Sequence, residues 1–102
     1  MSFPQFTTPT VVLTFTEESL DLTQARNVYV TFRSSCAELT KTGADLQVEE
    51  KQISVFLRQE ETGQLDNNAL IQANWTTPGG LRAASDIVAV EIDPQLLRKV
   101  IE

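Results

Sequence analysis

Histidine is absent from this 102-residue chain, and cysteine occurs once, at position 36. Without histidine the commonest general base and the commonest metal ligand are gone. Ser-His-Asp and Cys-His arrangements cannot be assembled, and zinc held by cysteine and histidine is excluded. One cysteine cannot make an intrachain disulfide, which points to maturation in a reducing compartment. Arg33 and Lys41 are the only bases near Cys36 in sequence, so its thiol reads as a half-buried residue rather than an activated nucleophile. The four glycines fall in no phosphate-cradling pattern. No catalytic, cofactor-binding or metal-ligating residue is assigned, and the chain is read as a non-enzyme.

Long apolar runs and basic clusters are missing too. Ile87-Val88-Ala89-Val90 is typical of the longest apolar runs, against the roughly 20 residues that a spanning helix requires. Eight basic residues face 14 acidic ones, giving a net charge of −6 and a pI near 4.5. Such a surface repels phosphate backbones, so neither nucleic acid nor membrane is expected as a partner. The opening MSFPQFTTPTVV has no basic start, apolar core or cleavage site of a secretory signal, so export by that route is not expected. Asn74-Trp75-Thr76 spells an acceptor for N-linked sugar, but is read as an outward strand asparagine beside a core tryptophan.

The acidic residues do not gather into chemistry either. Glu17-Glu18, Glu49-Glu50 and Glu60-Glu61 are adjacent pairs, whereas acid–base work needs two carboxylates set across a cleft. Each pair is expected on a solvated loop or strand edge. Leu65-Asp66-Asn67-Asn68 lacks the spacing and the bidentate glutamate of a calcium loop, and is read as a turn.

What the chain does have is alternation. TVVLTF points Val11, Leu13 and Phe15 one way, and NVYVTFR points Val28, Val30 and Phe32 inward. KQISVFL sets Ile53, Val55 and Leu57 against Ser54 and Phe56, and ALIQANWTT sets Ile71, Ala73 and Trp75 against Gln72, Asn74 and Thr76. AELTK and LQVEE are further strands around the turn at Thr42-Gly43-Ala44-Asp45. RQEETGQL loses the alternation and reads as one helical turn ending at Gly63. Thr77-Pro78-Gly79-Gly80 is a hairpin turn into a returning strand over 81–92. In DPQLLRKVIE, Asp93 is placed as N-cap and Pro94 at the first helical position, with Leu96, Leu97, Val100 and Ile101 forming an apolar stripe.

The pattern predicts one all-β domain: an irregular arm over 1–9, a sandwich over 10–92 and a C-terminal helix over 93–102. About seven mainly antiparallel strands in two sheets are expected, with a short helical crossover. Eight residues follow Pro94, too few for a helix to hold alone in water, so the stripe Leu96, Leu97, Val100 and Ile101 needs cover from its own sandwich or a second chain. These four are the possible partner contacts. Trp75 and Tyr29 are the possible ligand platform, since aromatic faces stack on sugars.

One ordered set of features resembles a known family. LDLT before the V-x-V-x-F strand, the Lys41-Thr42-Gly43 turn, ISVFLRQEETGQL, a strand ending near Trp75 and the closing GGLRAASDIVAVEI are similar to the immunoglobulin-like N-terminal domains of phage baseplate upper proteins. The resemblance spans roughly residues 10 to 92. It implies an immunoglobulin-like antiparallel β-sandwich and a non-enzymatic phage or prophage structural or adaptor protein. Its partners would be proteins or further copies of itself, in the cytoplasm of a bacterial host or in a virion. A small ligand- or carbohydrate-binding sandwich is the alternative expectation.

Overall fold

The computed structural model describes residues 2–35 and 37–101. Its strands are β1 (Ser2–Pro4), β2 (Thr10–Thr14), β3 (Arg26–Arg33), β4 (Glu38–Thr42), β5 (Leu46–Glu49), β6 (Gln52–Phe56), β7 (Asn68–Thr76), β8 (Arg82–Ala84) and β9 (Val88–Asp93). One helical turn, α1 (Gln59–Thr62), joins β6 to β7. Among the described residues, β1, β9, β7, β3 and β4 lie side by side in that order, and β8 also pairs with β7. β2, β6 and β5 make a second sheet. Strands of both sheets send side chains into one buried cluster, so the architecture is an all-β sandwich.

Alternation decides which residues fill that core. Val11 and Leu13 of β2, Val30 and Phe32 of β3, Ile53 and Val55 of β6, and Ala69, Ile71, Ala73 and Trp75 of β7 are all buried, as their spacing predicts. β7 is the central element, paired along its length with β3 on one side and with β9 and β8 on the other. The hairpin after it closes as expected: Gly80 N–H donates to Thr77 O at 2.9 Å, and Gly80 takes φ +83°, which a side chain would strain. The loop after β2 is held by Lys51, whose ammonium donates to the carbonyls of Glu17 (2.8 Å), Glu18 (3.1 Å) and Leu20 (2.8 Å). Asp21 then caps a 3-10 turn over Leu22–Gln24 by accepting from Thr23 N–H, and Leu22 drops into the core.

Three expectations need correction. The arm is not all irregular: β1 pairs in parallel with the last residues of β9, Phe3 opposite Ile92, and Phe3 is buried. Two prolines and short length hid it, because a strand confirmed by three paired residues leaves no periodic signal. The returning strand over 81–92 is two strands, so nine rather than about seven are found among the described residues. Ser85 breaks it: its hydroxyl accepts Ala73 N–H at 2.9 Å and its own N–H donates to Ala73 O at 2.9 Å, so a side chain stands in the ladder. Gly63 closes α1 as expected, at φ −66°. The Phe6 ring lies where a Cβ at Gly63 would sit. Close approach, not backbone freedom, calls for glycine there.

The third correction is the C-terminal helix, which does not form. Residues 94–101 carry no helix or strand. Asp93 cannot serve as N-cap because it is the last residue of β9, opposite Pro4, and its carbonyl accepts Gln5 N–H at 2.8 Å. A helix so short, with its cap residue committed to a sheet, has no nucleus.

Candidate interaction surfaces

The stripe expected to need cover is uncovered. Leu96 is fully exposed and Leu97, Val100 and Ile101 are exposed as well. The segment touches the body at Gln59 of α1, whose side-chain amide donates to Ile101 O at 3.0 Å and accepts Ile101 N–H at 2.8 Å. These are backbone contacts, so they steer the segment without burying its apolar side chains. Between the leucines and the Val100-Ile101 pair stand Arg98 and Lys99, making an apolar–basic–apolar stretch.

The second surface is the outer face of the larger sheet. Here β3, β4, β7 and β8 present Tyr29, Thr31, Thr40, Asn74, Thr76 and Arg82 around an open hollow of about 400 Å³. Thr31 and Thr40 share a hydroxyl hydrogen bond at 3.3 Å, and Arg82 donates to Asn74 Oδ1 at 3.2 Å. Tyr29 is 43% exposed, whereas Trp75 is 7% exposed and packs edge-on against Phe15 with ring centroids 5.8 Å apart. Both border the hollow, but they point to opposite faces of the sheet. Only Tyr29 can offer a stacking ring, and the two do not form one platform. Asn74, from the sequon, lies opposite Tyr29 on the outward face as expected.

A further feature escaped sequence reasoning. Lys41, on the inward face of β4, is 2% exposed, and its ammonium donates to both carboxylate oxygens of Glu61 at 2.7 Å. Asp45 Oδ2 stands 3.6 Å from the same nitrogen. Glu61 also accepts Arg58 N–H at 2.9 Å, capping α1. Glu60-Glu61 is therefore not a solvated pair: Glu61 is bound and mostly covered. Lys41 shares the period-two face of Leu39, but a lysine in that position carries no hint of the acid that meets it. Thr62 beside it is fully buried, its hydroxyl donating to Thr7 O at 2.8 Å and accepting Thr7 N–H at 3.0 Å. This cluster ties α1 to β4 and to the chain before β2.

No group of three or more acidic residues capable of holding a metal occurs among the described residues. Asp66 of the supposed turn accepts from Ser35 Oγ, and Asn67 takes φ 51° while its carbonyl accepts Ile92 N–H at 2.6 Å. Cys36 lies outside the described residues. No helix is long and apolar enough to cross a membrane, among the described residues.

No protein-family model matches the chain, and no curated protein matches it. Among solved structures, one of murine CRIg is similar over 93% of this chain and 91% of its own, with a TM-score of 0.44 and 11% sequence identity.

Proposed function

We propose that the chain is a non-enzymatic assembly or adaptor module that works through protein–protein contact. The uncovered apolar segment around Leu96, Leu97, Val100 and Ile101 carries this reading. A sandwich with a filled core of its own gains nothing from four apolar side chains in water, and contiguous apolar exposure marks interaction surfaces. The finer fold is immunoglobulin-like: one sheet of three strands faces a larger one in which the first strand runs parallel to the last. The setting is a phage or prophage tail or baseplate, on the strength of the LDLT and QEET resemblance alone. Sedimentation of the full chain and of a chain lacking residues 94–102 tests the contact role. A folded body whose association state changes on truncation supports it. A monomer in both, with unaltered unfolding, overturns it.

A second reading has one observation in its favour. The hollow beside Tyr29 is lined by amide, hydroxyl and guanidinium groups, which suit the hydroxyls of a sugar ring stacked on the phenol. Titrating neutral oligosaccharides while following the Tyr29 ring by NMR tests it. Shifts confined to Tyr29, Asn74 and Arg82 favour this reading, and an unchanged spectrum removes it.

A further inference from the structure

Two strand edges face each other across an open slot. Among the described residues β2 is the edge of the smaller sheet, paired only with β6. In the larger sheet β1 covers β9 over Glu91–Asp93, so among the described residues Val88–Val90 has no strand on its outer side. Between β2 and the start of β9 lies a groove of about 300 Å³ lined by Val12, Leu13, Thr14, Phe15, Ser85, Asp86 and Val88. Val12 and Val88 are exposed there. Asp86 is the only charged residue on that lining. An unpaired edge beside an apolar cleft is a template for an added strand.

We propose that this slot is the docking site for residues 96–101 of a second copy of the chain, inserted as an extended strand. The proposal rests on the contact role assigned above to that segment and supplies its receptor. Three observations select this occupant. As a strand, the segment would show Leu96, Arg98 and Val100 on one face and Leu97, Lys99 and Ile101 on the other. Either face offers a base between two apolar residues, which matches a groove of apolar walls around Asp86. Six extended residues span about 20 Å, enough to run the length of a five-residue edge such as β2. The chain's own segment is led elsewhere, since Gln59 holds Ile101 beside α1. α1 follows Phe56, the partner of Thr10, while the slot opens at Val12–Phe15 toward the other end of β2.

Such a contact is heterologous: each copy gives its segment to one neighbour and receives another's. It therefore predicts rings or open chains. The test uses two full-length variants. The donor-dead chain carries Leu96→Ser, Leu97→Ser, Val100→Ser and Ile101→Ser. The acceptor-dead chain carries Val12→Asp and Val88→Asp, both at exposed positions. Circular dichroism and thermal unfolding establish that each folds. In sedimentation velocity the unaltered chain should form species of increasing mass with concentration, and each variant alone should remain monomeric. An equimolar mixture of the two should then yield a species of twice the monomer mass and nothing larger, because one working interface remains. A monomeric mixture overturns the proposal, as does a monomeric unaltered chain whose slot is filled by its own segment. If the acceptor-dead chain associates as fully as the unaltered one while the donor-dead chain does not, the segment is a contact but the slot is not its receptor.

Discussion

β7 and the segment over 94–101 are both rich in apolar residues, yet one is the centre of the fold and the other lies outside it. In β7, Ala69, Ile71, Ala73 and Trp75 are buried at period two, and strands flank it on both sides. In 94–101 the apolar residues stand at helical spacing, but no helix forms and the side chains face water. Apolar content alone therefore does not set burial. A strand recruits backbone partners that fix its facing residue by residue, while a short helix has to be held by whatever packs on its stripe. Where that packing is absent, the stripe stays in water.

The largest expected effect lies in β7. Trp75→Ala removes a ring packed on Phe15 and should lower unfolding free energy by about 3–5 kcal/mol in denaturant titrations. A loss below about 1 kcal/mol would place the ring at the surface and weaken the contrast with the tail. Next comes the buried ion pair at α1. Lys41→Met leaves the largely covered Glu61 with the Arg58 N–H and an exposed Arg58 guanidinium 3.9 Å away as weak compensation, and should cost about 3 kcal/mol. Adding Glu61→Gln should recover much of it, because the uncompensated charge is then gone. A double variant as unstable as the single one would show that lost packing dominates. Gly63→Ala comes third: its methyl meets the Phe6 ring, and overpacking of this kind costs roughly 1–3 kcal/mol. An unchanged or raised midpoint would mean that Phe6 swings away freely. At the small end, Asn74→Gln should stay within about 0.5 kcal/mol, since Asn74 faces outward and accepts one hydrogen bond from Arg82. A loss above about 2 kcal/mol would make it a structural residue of the strand.

The same contrast explains what the sequence revealed. Val30, Phe32, Ile53, Val55, Ile71 and Trp75 are legible because period two reports a half-buried strand from local residues alone. The turn at Gly80 and the helical turn of α1 are likewise local signals. The misreadings are all places where a distant partner decides. β1 exists because β9 receives it, and the strand over 81–92 breaks because Ser85 bonds to Ala73. Lys41 is buried because Glu61 arrives from α1, and Asp93 is withdrawn from capping by Gln5. Tyr29 and the four apolar residues over 96–101 stand out in the sequence as candidates, but the slot between β2 and β9 required the fold. No local pattern brings Val12 and Asp86 together.

Amide hydrogen exchange of the full chain at low and high concentration tests the central claim, that the sandwich is complete without the segment and the segment is there for another chain. Amides of β7 should be protected to the global limit at both concentrations. Those of 96–101 should exchange freely when dilute and gain protection as concentration rises, together with those of β2. Strong protection of 96–101 in the dilute monomer, or none gained on concentrating, would contradict the account.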